Sequence, residues 1–159
     1  MTIDGEYENC DATELARLVR NEGVTPEQLL DLAIRRVDKL NPTLNAVVQP
    51  MYDEARRDIE RGLPDGPFRG VPFMLKDLAM LYEGVPTTNG SALFKDFAPD
   101  HHSFLVERYC RAGMVIMGKT NTPELWLSAT TEPTLHGATL NPWDTNCSPG
   151  GSSGGAAAI

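Results

Sequence analysis

Apolar side chains near the start of the chain recur at helical spacing, and polar residues mark both ends of the pattern. Asp11-Ala12-Thr13-Glu14 is typical of a capping box, in which the first and fourth side chains bond each other's backbone N–H groups. Gly23 can adopt the left-handed conformation that ends many helices. We therefore predict an amphipathic helix between these residues, and its core-facing positions are Leu15, Leu18 and Val19.

A second capping box, Thr25-Pro26-Glu27-Gln28, follows directly. Pro26 would be the first helical residue, a position where the missing N–H of proline has no cost. Because the residue before a proline avoids helical backbone, Asn41-Pro42 is predicted to stop this helix. Its apolar positions, which we expect to pack in the core, are Leu29, Leu30, Ala33, Ile34, Val37 and Leu40.

Short apolar runs alternate with further helical patterns downstream. Residues 45–49, 71–75 and 114–117 have the length and composition of strands, and the second and third of these runs predict buried strands. Residues 52–61 have the mixed charges of an exposed helix, and residues 103–112 form another amphipathic segment. Strands that alternate with helices favour a parallel or mixed sheet. The predicted fold class is α/β, with a mixed central sheet flanked by helices.

Charge and hydropathy exclude some classes of partner. The 159 residues include 22 acidic and 14 basic side chains, for a net charge of −8. A polyanion would be repelled by this balance, so we expect no nucleic-acid partner. No apolar run is long enough to span a bilayer, so we expect no membrane partner.

The cysteines and histidines bear on compartment and metal binding. Three cysteines, an odd number and widely spaced, do not suggest a disulfide framework and fit a reducing compartment. Residues 1–10 have no signal-peptide pattern, so we expect a cytoplasmic protein. The three histidines have no zinc-ligand spacing with the cysteines, so no metal site is expected. His101-His102 more simply precedes a helix.

Two polar features remain for chemistry. Lys76 directly follows the apolar run 71–75, and Ser152-Ser153 lies between two glycine pairs. A lysine buried beside a sheet has a lowered pKa, and a neutral lysine can be the base that partners a serine. A solvent-exposed lysine, together with a glycine loop that is a linker or binds an anion at a helix start, is the simpler alternative. Lys76 with the paired serines nevertheless makes an acyl-transfer site plausible.

The segment Gly151–Gly155 also matches G-x-S-x-G, which would make Ser153 the nucleophile of a strand-to-helix elbow. Such an elbow needs a strand directly before the serine. Cys147-Ser148-Pro149 is poor strand material, and this interpretation gives Lys76 no role. The pattern therefore argues against an elbow.

Four motifs, in order and at approximate family spacing, resemble the amidase signature family over about residues 29–159. They are Gly70-Val71-Pro72-Phe73-Met74-Leu75-Lys76-Asp77, Gly118-Lys119-Thr120-Asn121-Thr122-Pro123-Glu124, Asn141-Pro142-Trp143 and Pro149-Gly150-Gly151-Ser152-Ser153-Gly154-Gly155. Around residues 130–139 the chain is more similar to 6-aminohexanoate cyclic dimer hydrolases and other general amidases than to the glutamine-hydrolysing component of the tRNA-dependent amidotransferase.

The resemblance implies a Ser–cis-Ser–Lys triad. By motif position Lys76 is the base, and Ser152 is the bridging serine after a cis peptide bond from Gly151. Ser153 would donate a supporting hydrogen bond, and Gly150 and Gly154 would shape the loop. Thr120 and Asn121, at the end of a strand, would support the loop by hydrogen bonds, although an ordinary strand-end turn is an equal alternative.

The resemblance also implies that the acyl-forming serine and its oxyanion hole lie beyond residue 159. Residues 1–159 are then expected to be the N-terminal portion of a single amidase domain and inactive alone, with exposed apolar surface that favours association of copies. The expected substrate is a small-molecule amide, hydrolysed without metal or organic cofactor. The alternatives are a glutamine-hydrolysing component of an amidotransferase, a non-catalytic anion-binding module and a non-functional truncation product.

The remaining candidates have structural roles on this interpretation. Asp77 is expected to orient backbone near Lys76 rather than to do chemistry. The large aromatic side chains of Tyr82, Trp126 and Trp143 are expected to be buried in the core.

Overall fold

A computed structural model describes residues 7–159, so the first six residues of the segment without a signal-peptide pattern lie outside the described part. Within that part, three single 3₁₀ turns accompany the main elements, at Tyr7–Asn9, Ala92–Phe94 and Glu124–Trp126. The main elements are α1 (Ala12–Arg20), α2 (Pro26–Leu44), β1 (Val47–Pro50), α3 (Tyr52–Arg61), β2 (Pro72–Lys76), α4 (Phe104–Arg111), β3 (Val115–Thr120) and α5 (Gly154–Ala158). None of the described helices is long and apolar enough to cross a bilayer.

The three strands form one mixed sheet in the order β1-β3-β2. The outer strand β1 is antiparallel to β3, whereas β2 is parallel to it and reaches it through a connection that contains α4. Lys76, the last residue of β2, is paired with Thr120, the last residue of β3. Because parallel neighbours end at the same edge, the segments that follow β2 and β3 leave the sheet side by side.

Burial within the sheet follows strand position. The central strand β3 is buried at every residue, as predicted for an apolar run. The prediction of a buried strand is only partly right for β2, where Leu75 is fully buried and the other residues are half-buried. The reason is that β2 is an edge strand, so neighbours cover it less completely.

Side chains alternate between two apolar cores, one on each face of the sheet. The face toward α2 and α3 includes Leu30, Val37, Ala55, Val115 and Met117. The opposite face, toward α4, includes Met51, Leu75, Tyr82, Val106 and Ile116. Helices therefore flank the sheet as predicted. A smaller cluster joins α1 to the start of α2 through Leu15, Val19 and Leu29.

Both predicted helix starts are present, one in full and one in half. Thr25 and Gln28 form the reciprocal capping box at the start of α2. At the start of α1, Asp11 accepts the N–H of Glu14 at 2.8 Å. The carboxylate of Glu14 binds Arg17 instead of returning to the cap.

Both predicted helix ends were wrong in detail. At the end of α1 the left-handed residue is Glu22, with φ 57°, one position before Gly23. The helix α2 does not stop at Asn41-Pro42 but runs to Leu44 with Pro42 inside its last turn. A proline there removes a single N–H, and Asn45, left-handed at φ 49°, closes the turn with a bond to the Asn41 carbonyl.

The expected burial of the aromatic residues holds for Tyr82 but not for the two tryptophans. Tyr82 is 7% exposed, whereas Trp126 is 40% and Trp143 is 94% exposed. Trp126 follows a left-handed Leu125 in a short 3₁₀ turn, and Trp143 lies inside the predicted turn 141–144. Both tryptophans are in surface turns, where no packed layer lies over the ring.

Candidate active site

Lys76 lies beside the serines of the glycine-rich loop, although 76 residues separate it from Ser152 in sequence. The Nζ atom of Lys76 is 2.7 Å from the Oγ atom of Ser152 and 3.1 Å from that of Ser153. Lys76 ends β2, and the loop precedes the first turn of α5. The fold therefore brings together the two features that the sequence singled out for chemistry.

The environment of Lys76 favours loss of its proton. Burial lowers the pKa of Lys76 below the ordinary value of lysine, because the half-buried ammonium loses part of its hydration. Within residues 7–159 no carboxylate forms an ion pair with it, so nothing in this part offsets that loss. An amine so placed can accept a proton from a neighbouring hydroxyl more readily than an exposed lysine.

The loop from Gly150 to Gly154 has a backbone that suits glycine. Gly150 has φ 87°, and the peptide bond between Gly151 and Ser152 is cis. A Cβ atom on Gly151 would come within 2.9 Å of backbone atoms of Ala129 and Ser128. Gly154 has even less room, because its Cβ atom would lie 2.3 Å from the Thr131 hydroxyl. The backbone here is pressed against the 128–131 segment, which explains the absence of side chains at these positions.

Two threonines that the sequence did not single out hold this loop. Thr131 donates its hydroxyl to the Gly150 carbonyl at 2.9 Å and accepts the Gly154 N–H at 3.1 Å. Thr122 donates to the carbonyl oxygen of Ser152 at 3.0 Å. Both threonines are fully buried. Their only sequence signal was that they lie in segments that resemble the amidase signature family.

The two residues expected to support the loop behave differently. The Thr120 hydroxyl donates to the Leu75 carbonyl at 3.3 Å, so it bonds the strand that carries Lys76 rather than the loop. Asn121 contacts the start of α5 through its backbone, whose carbonyl accepts the Gly155 N–H at 3.2 Å. Its side chain is directed elsewhere and donates to Gly137 and Thr139.

Asp77 binds backbone, as expected, but far along the chain. Its buried carboxylate accepts the N–H of Thr88 at 2.9 Å and also the Thr88 hydroxyl. Burial acts to raise the pKa of Asp77, but hydrogen bonds from His136 and Thr88 and the nearby Lys119 ammonium together lower it. Asp77 is therefore an anion that anchors the segment returning toward the sheet.

Two alternative chemistries can be compared with the geometry. The residues directly before Ser153 are turn and loop, not a strand, so the elbow arrangement is not formed in this part of the chain. Among residues 7–159, no three side chains of His, Cys, Asp or Glu are grouped so as to hold a metal ion.

Comparison with known proteins places this geometry in a family. A sequence model described as Amidase matches residues 28–159. The chain is 45% identical over 150 residues to a 6-aminohexanoate-cyclic-dimer hydrolase of Paenarthrobacter ureafaciens, covering 93% of this chain and 30% of that enzyme. It is 40% identical over 154 residues to an acylamidase of Rhodococcus erythropolis, covering 92% of this chain and 32% of that enzyme. Glutamyl-tRNA(Gln) amidotransferase of Synechococcus sp. (strain CC9605) has a component that is 39% identical over 142 residues, covering 85% of this chain and 29% of that component.

The structure agrees with the sequence match. A solved 6-aminohexanoate cyclic dimer hydrolase in complex with substrate superposes with a TM-score of 0.88 at 44% identity. The superposition covers 94% of this chain and 31% of that one. The predicted fold is thereby confirmed, and the chain spans about 30% of the length of the curated relatives it matches. On the extent of the match, 132 of its 159 residues, the chain belongs to the amidase family.

Proposed function

We propose that this chain supplies the proton-transfer groups of an amide-hydrolysing site, with Lys76 as the base and Ser152 as the bridging serine. The observation that carries the proposal is the 2.7 Å separation of Lys76 Nζ and Ser152 Oγ. A lowered lysine pKa supports it, because a base must be neutral to accept a proton. Ser153, at 3.1 Å from Nζ, orients the amine by a second hydrogen bond.

In the proposed reaction, Ser152 transfers its proton to neutral Lys76 and takes one from the hydroxyl of a nucleophilic serine. That serine attacks the amide carbonyl and forms an acyl ester, while backbone N–H groups bind the oxyanion. The proton then passes back through Ser152 to the leaving nitrogen, because an amide anion is a poor leaving group. Water hydrolyses the ester and regenerates the serine.

We propose that the nucleophile lies outside residues 1–159, in a single amidase domain of which this chain is the first portion. Among the described residues, the hydroxyls bonded to Lys76 belong to Ser152 and Ser153, which already have the bridging and orienting roles. The 159-residue chain is then expected to be inactive alone. Glycines 150, 151 and 154 keep the bridging serine in place by their close backbone packing.

The proposed substrate is a small-molecule amide, hydrolysed without metal or organic cofactor. The relative at 45% identity is named for a cyclic dimer of 6-aminohexanoate, which makes a small cyclic amide the first substrate to test. We further propose a cytoplasmic protein, in keeping with three free cysteines in the described residues, and a homo-oligomer. Glutamine hydrolysis for an amidotransferase is the second candidate, since a component of such an enzyme is 39% identical.

The test is amide hydrolysis by the complete protein and two variants, Lys76→Met and Ser152→Ala. We expect each to lower kcat by about 10²- to 10⁴-fold, because each removes a proton-transfer group. Lys95→Met is the matched control, since Lys95 is an exposed lysine paired only with Asp96, and it should leave kcat unchanged. Full turnover by Lys76→Met would overturn the proposal.

The choice of substrate separates the candidates. Release of amine from a cyclic or linear amide supports the general hydrolase, whereas ammonia release from glutamine alone, increased by partner proteins and tRNA, supports the amidotransferase. A complete protein that hydrolyses neither but binds phosphate at the loop would be the anion-binding module. Turnover by the isolated 159-residue chain would show that the nucleophile lies within it.

A further inference from the structure

Lys119 is a second lysine at the end of the sheet, and it is more deeply buried than Lys76. It lies one residue before the end of β3 and is fully buried. Its Nζ atom donates to the Pro86 carbonyl at 2.7 Å and lies 2.5 Å from the Thr87 hydroxyl. Burial lowers the pKa of Lys119 to about 8, and the Asp77 carboxylate acts in the opposite direction. Lys119 is therefore still a cation at neutral pH.

A buried cation needs a compensating anion, and Asp77 is the acidic group that acts on it. Asp77 is bound to Thr88, the residue next to the Thr87 that binds Lys119. The two charges thus hold consecutive threonines of one segment. No ion pair within residues 7–159 joins Lys119 directly to a carboxylate, so Asp77 compensates it through the short Thr87–Thr88 link.

His136 is the remaining titratable group at this cluster. Its Nε2 atom is 3.0 Å from the Thr88 hydroxyl and 3.7 Å from Asp77. The single hydroxyl proton of Thr88 is donated to Asp77, so Nε2 carries a proton and donates to Thr88. In its neutral form His136 therefore adds a hydrogen bond and leaves the balance between Asp77 and Lys119 unchanged.

The cluster and the candidate active site lie on opposite faces of the same two strands. Lys119 is paired in register with Leu75, which packs in the core toward α4. Lys76 is paired with Thr120, one residue further on, so its side chain leaves the other face and meets the serine loop. Two strand ends therefore carry a pair of opposite charges on one face and a single unpaired amine on the other.

We propose that Asp77 and Lys119 are positioning residues that form a compensated charge pair, which holds the Thr87–Thr88 segment and leaves no net charge behind the Lys76–Ser152 pair. The carboxylate next to Lys76 in sequence is thereby kept from pairing with it. An uncompensated Asp77 would stabilise the ammonium form of Lys76 across the sheet, and an uncompensated Lys119 would destabilise it. The inference deepens the proposed function, since it concerns the protonation of the proposed base.

The test is a direct titration of Lys76 by NMR in protein labelled with [¹³C]lysine. The chain has four lysines, so few signals are present, and Lys76→Met identifies the one of interest. Four proteins are compared: wild type, Asp77→Asn, Lys119→Met and the double variant. Each change nearly preserves side-chain size and removes one charge, and circular dichroism confirms that each protein is folded.

We expect opposite shifts in the single variants. Asp77→Asn should lower the pKa of Lys76 and Lys119→Met should raise it, each by about half a unit, as for charges several ångströms apart in a partly buried site. The double variant should titrate as wild type does. Shifts of the same sign would show general loosening and hydration of the site, and absent shifts would show no coupling, and either result overturns the charge pair.

Stability provides a second measurement that does not depend on both single variants being well folded. If the pair is compensated, the double variant should be more stable to urea than the less stable single variant, because it contains no unpaired buried charge. A double variant no more stable than that one contradicts the inference. Neither measurement requires turnover, so opposite shifts in a protein that hydrolyses no amide would overturn the proposed function alone.

Discussion

Thr122 donates a hydrogen bond to the carbonyl oxygen of Ser152 at 3.0 Å, and so ties the segment after β3 to the proposed bridging serine. The Ser152 hydroxyl on the same residue is 2.7 Å from Lys76, at the end of β2. The serine is thus held between the ends of two neighbouring strands, with its backbone bound to one and its side chain to the other. Two strands that are paired in register therefore fix its position relative to the base.

This relationship predicts that Thr122→Val lowers activity more than its size suggests. The variant keeps the side-chain shape but leaves the Ser152 carbonyl without its partner, so we expect kcat of the complete enzyme to fall by about tenfold, the equivalent of one net hydrogen bond. Steady-state kinetics on an amide substrate provide the measurement. Thr122→Ser keeps the hydroxyl and should restore most of the rate; equal losses in both variants would contradict a positioning role.

Thr131 should matter mainly for stability, because one hydroxyl satisfies two loop groups. Thr131→Val removes the donor to Gly150 and the acceptor for the Gly154 N–H, and we expect the free energy of unfolding to fall by about 2–4 kcal/mol. Urea unfolding measures this loss. The Gly154 amide should also exchange its hydrogen faster, and Thr131→Ser, which keeps both bonds, should protect it. An unchanged exchange rate in Thr131→Val would count against the clamp.

Gly154 should not tolerate even one added methyl group. In Gly154→Ala the new Cβ atom would lie 2.3 Å from the Thr131 hydroxyl, so the first turn of α5 must shift, and we expect a loss of about 1–3 kcal/mol of stability. Gly23→Ala is the matched control, because Gly23 lacks a left-handed φ and its nearest contact would be 3.5 Å. Thermal unfolding distinguishes the two, and similar melting temperatures for both variants would refute the packing argument.

The buried Lys119 predicts a specific dependence of stability on alkaline pH. Its pKa is lowered from 10.5 to about 8 in the folded chain, so between these values the unfolded chain binds more protons than the folded one. The stability contributed by this group therefore rises with pH across that window, by a total on the order of 3 kcal/mol. Below about pH 8 both states are protonated and this dependence is absent.

Unfolding by urea at several pH values tests this sign. Lys119→Met has no titrating group at the site, so the difference in unfolding free energy between wild type and variant should change across the window. Wild type should gain relative to the variant as the pH rises from 8 toward 10.5. A constant difference, or a change of the opposite sign, would mean that Lys119 is hydrated in the folded protein.

Much of the fold followed from local patterns in the sequence. The cap at Thr25 is a short-range device whose partners lie three residues apart, so a sequence of four residues specifies it. Helix ends were less accessible. At Pro42 the local preference for a break is outweighed by the packing of α2 on the sheet and by the Asn45 turn that closes it. Exposure of Trp143 likewise depends on what surrounds its turn, which no local pattern records.

The candidate site divides along the same line. The residue types at positions 76 and 150–155, and their order, were sufficient to single out a lysine and a serine loop for acyl-transfer chemistry, because the properties of an amine and of glycine backbone are intrinsic to those residues. Tertiary structure alone decided that Lys76 Nζ and Ser152 Oγ meet, that Thr122 and Thr131 hold the loop, and that Lys119 is buried with Asp77 behind it. These are contacts between residues far apart in sequence, and their distances depend on how strands are paired and how helices cover them.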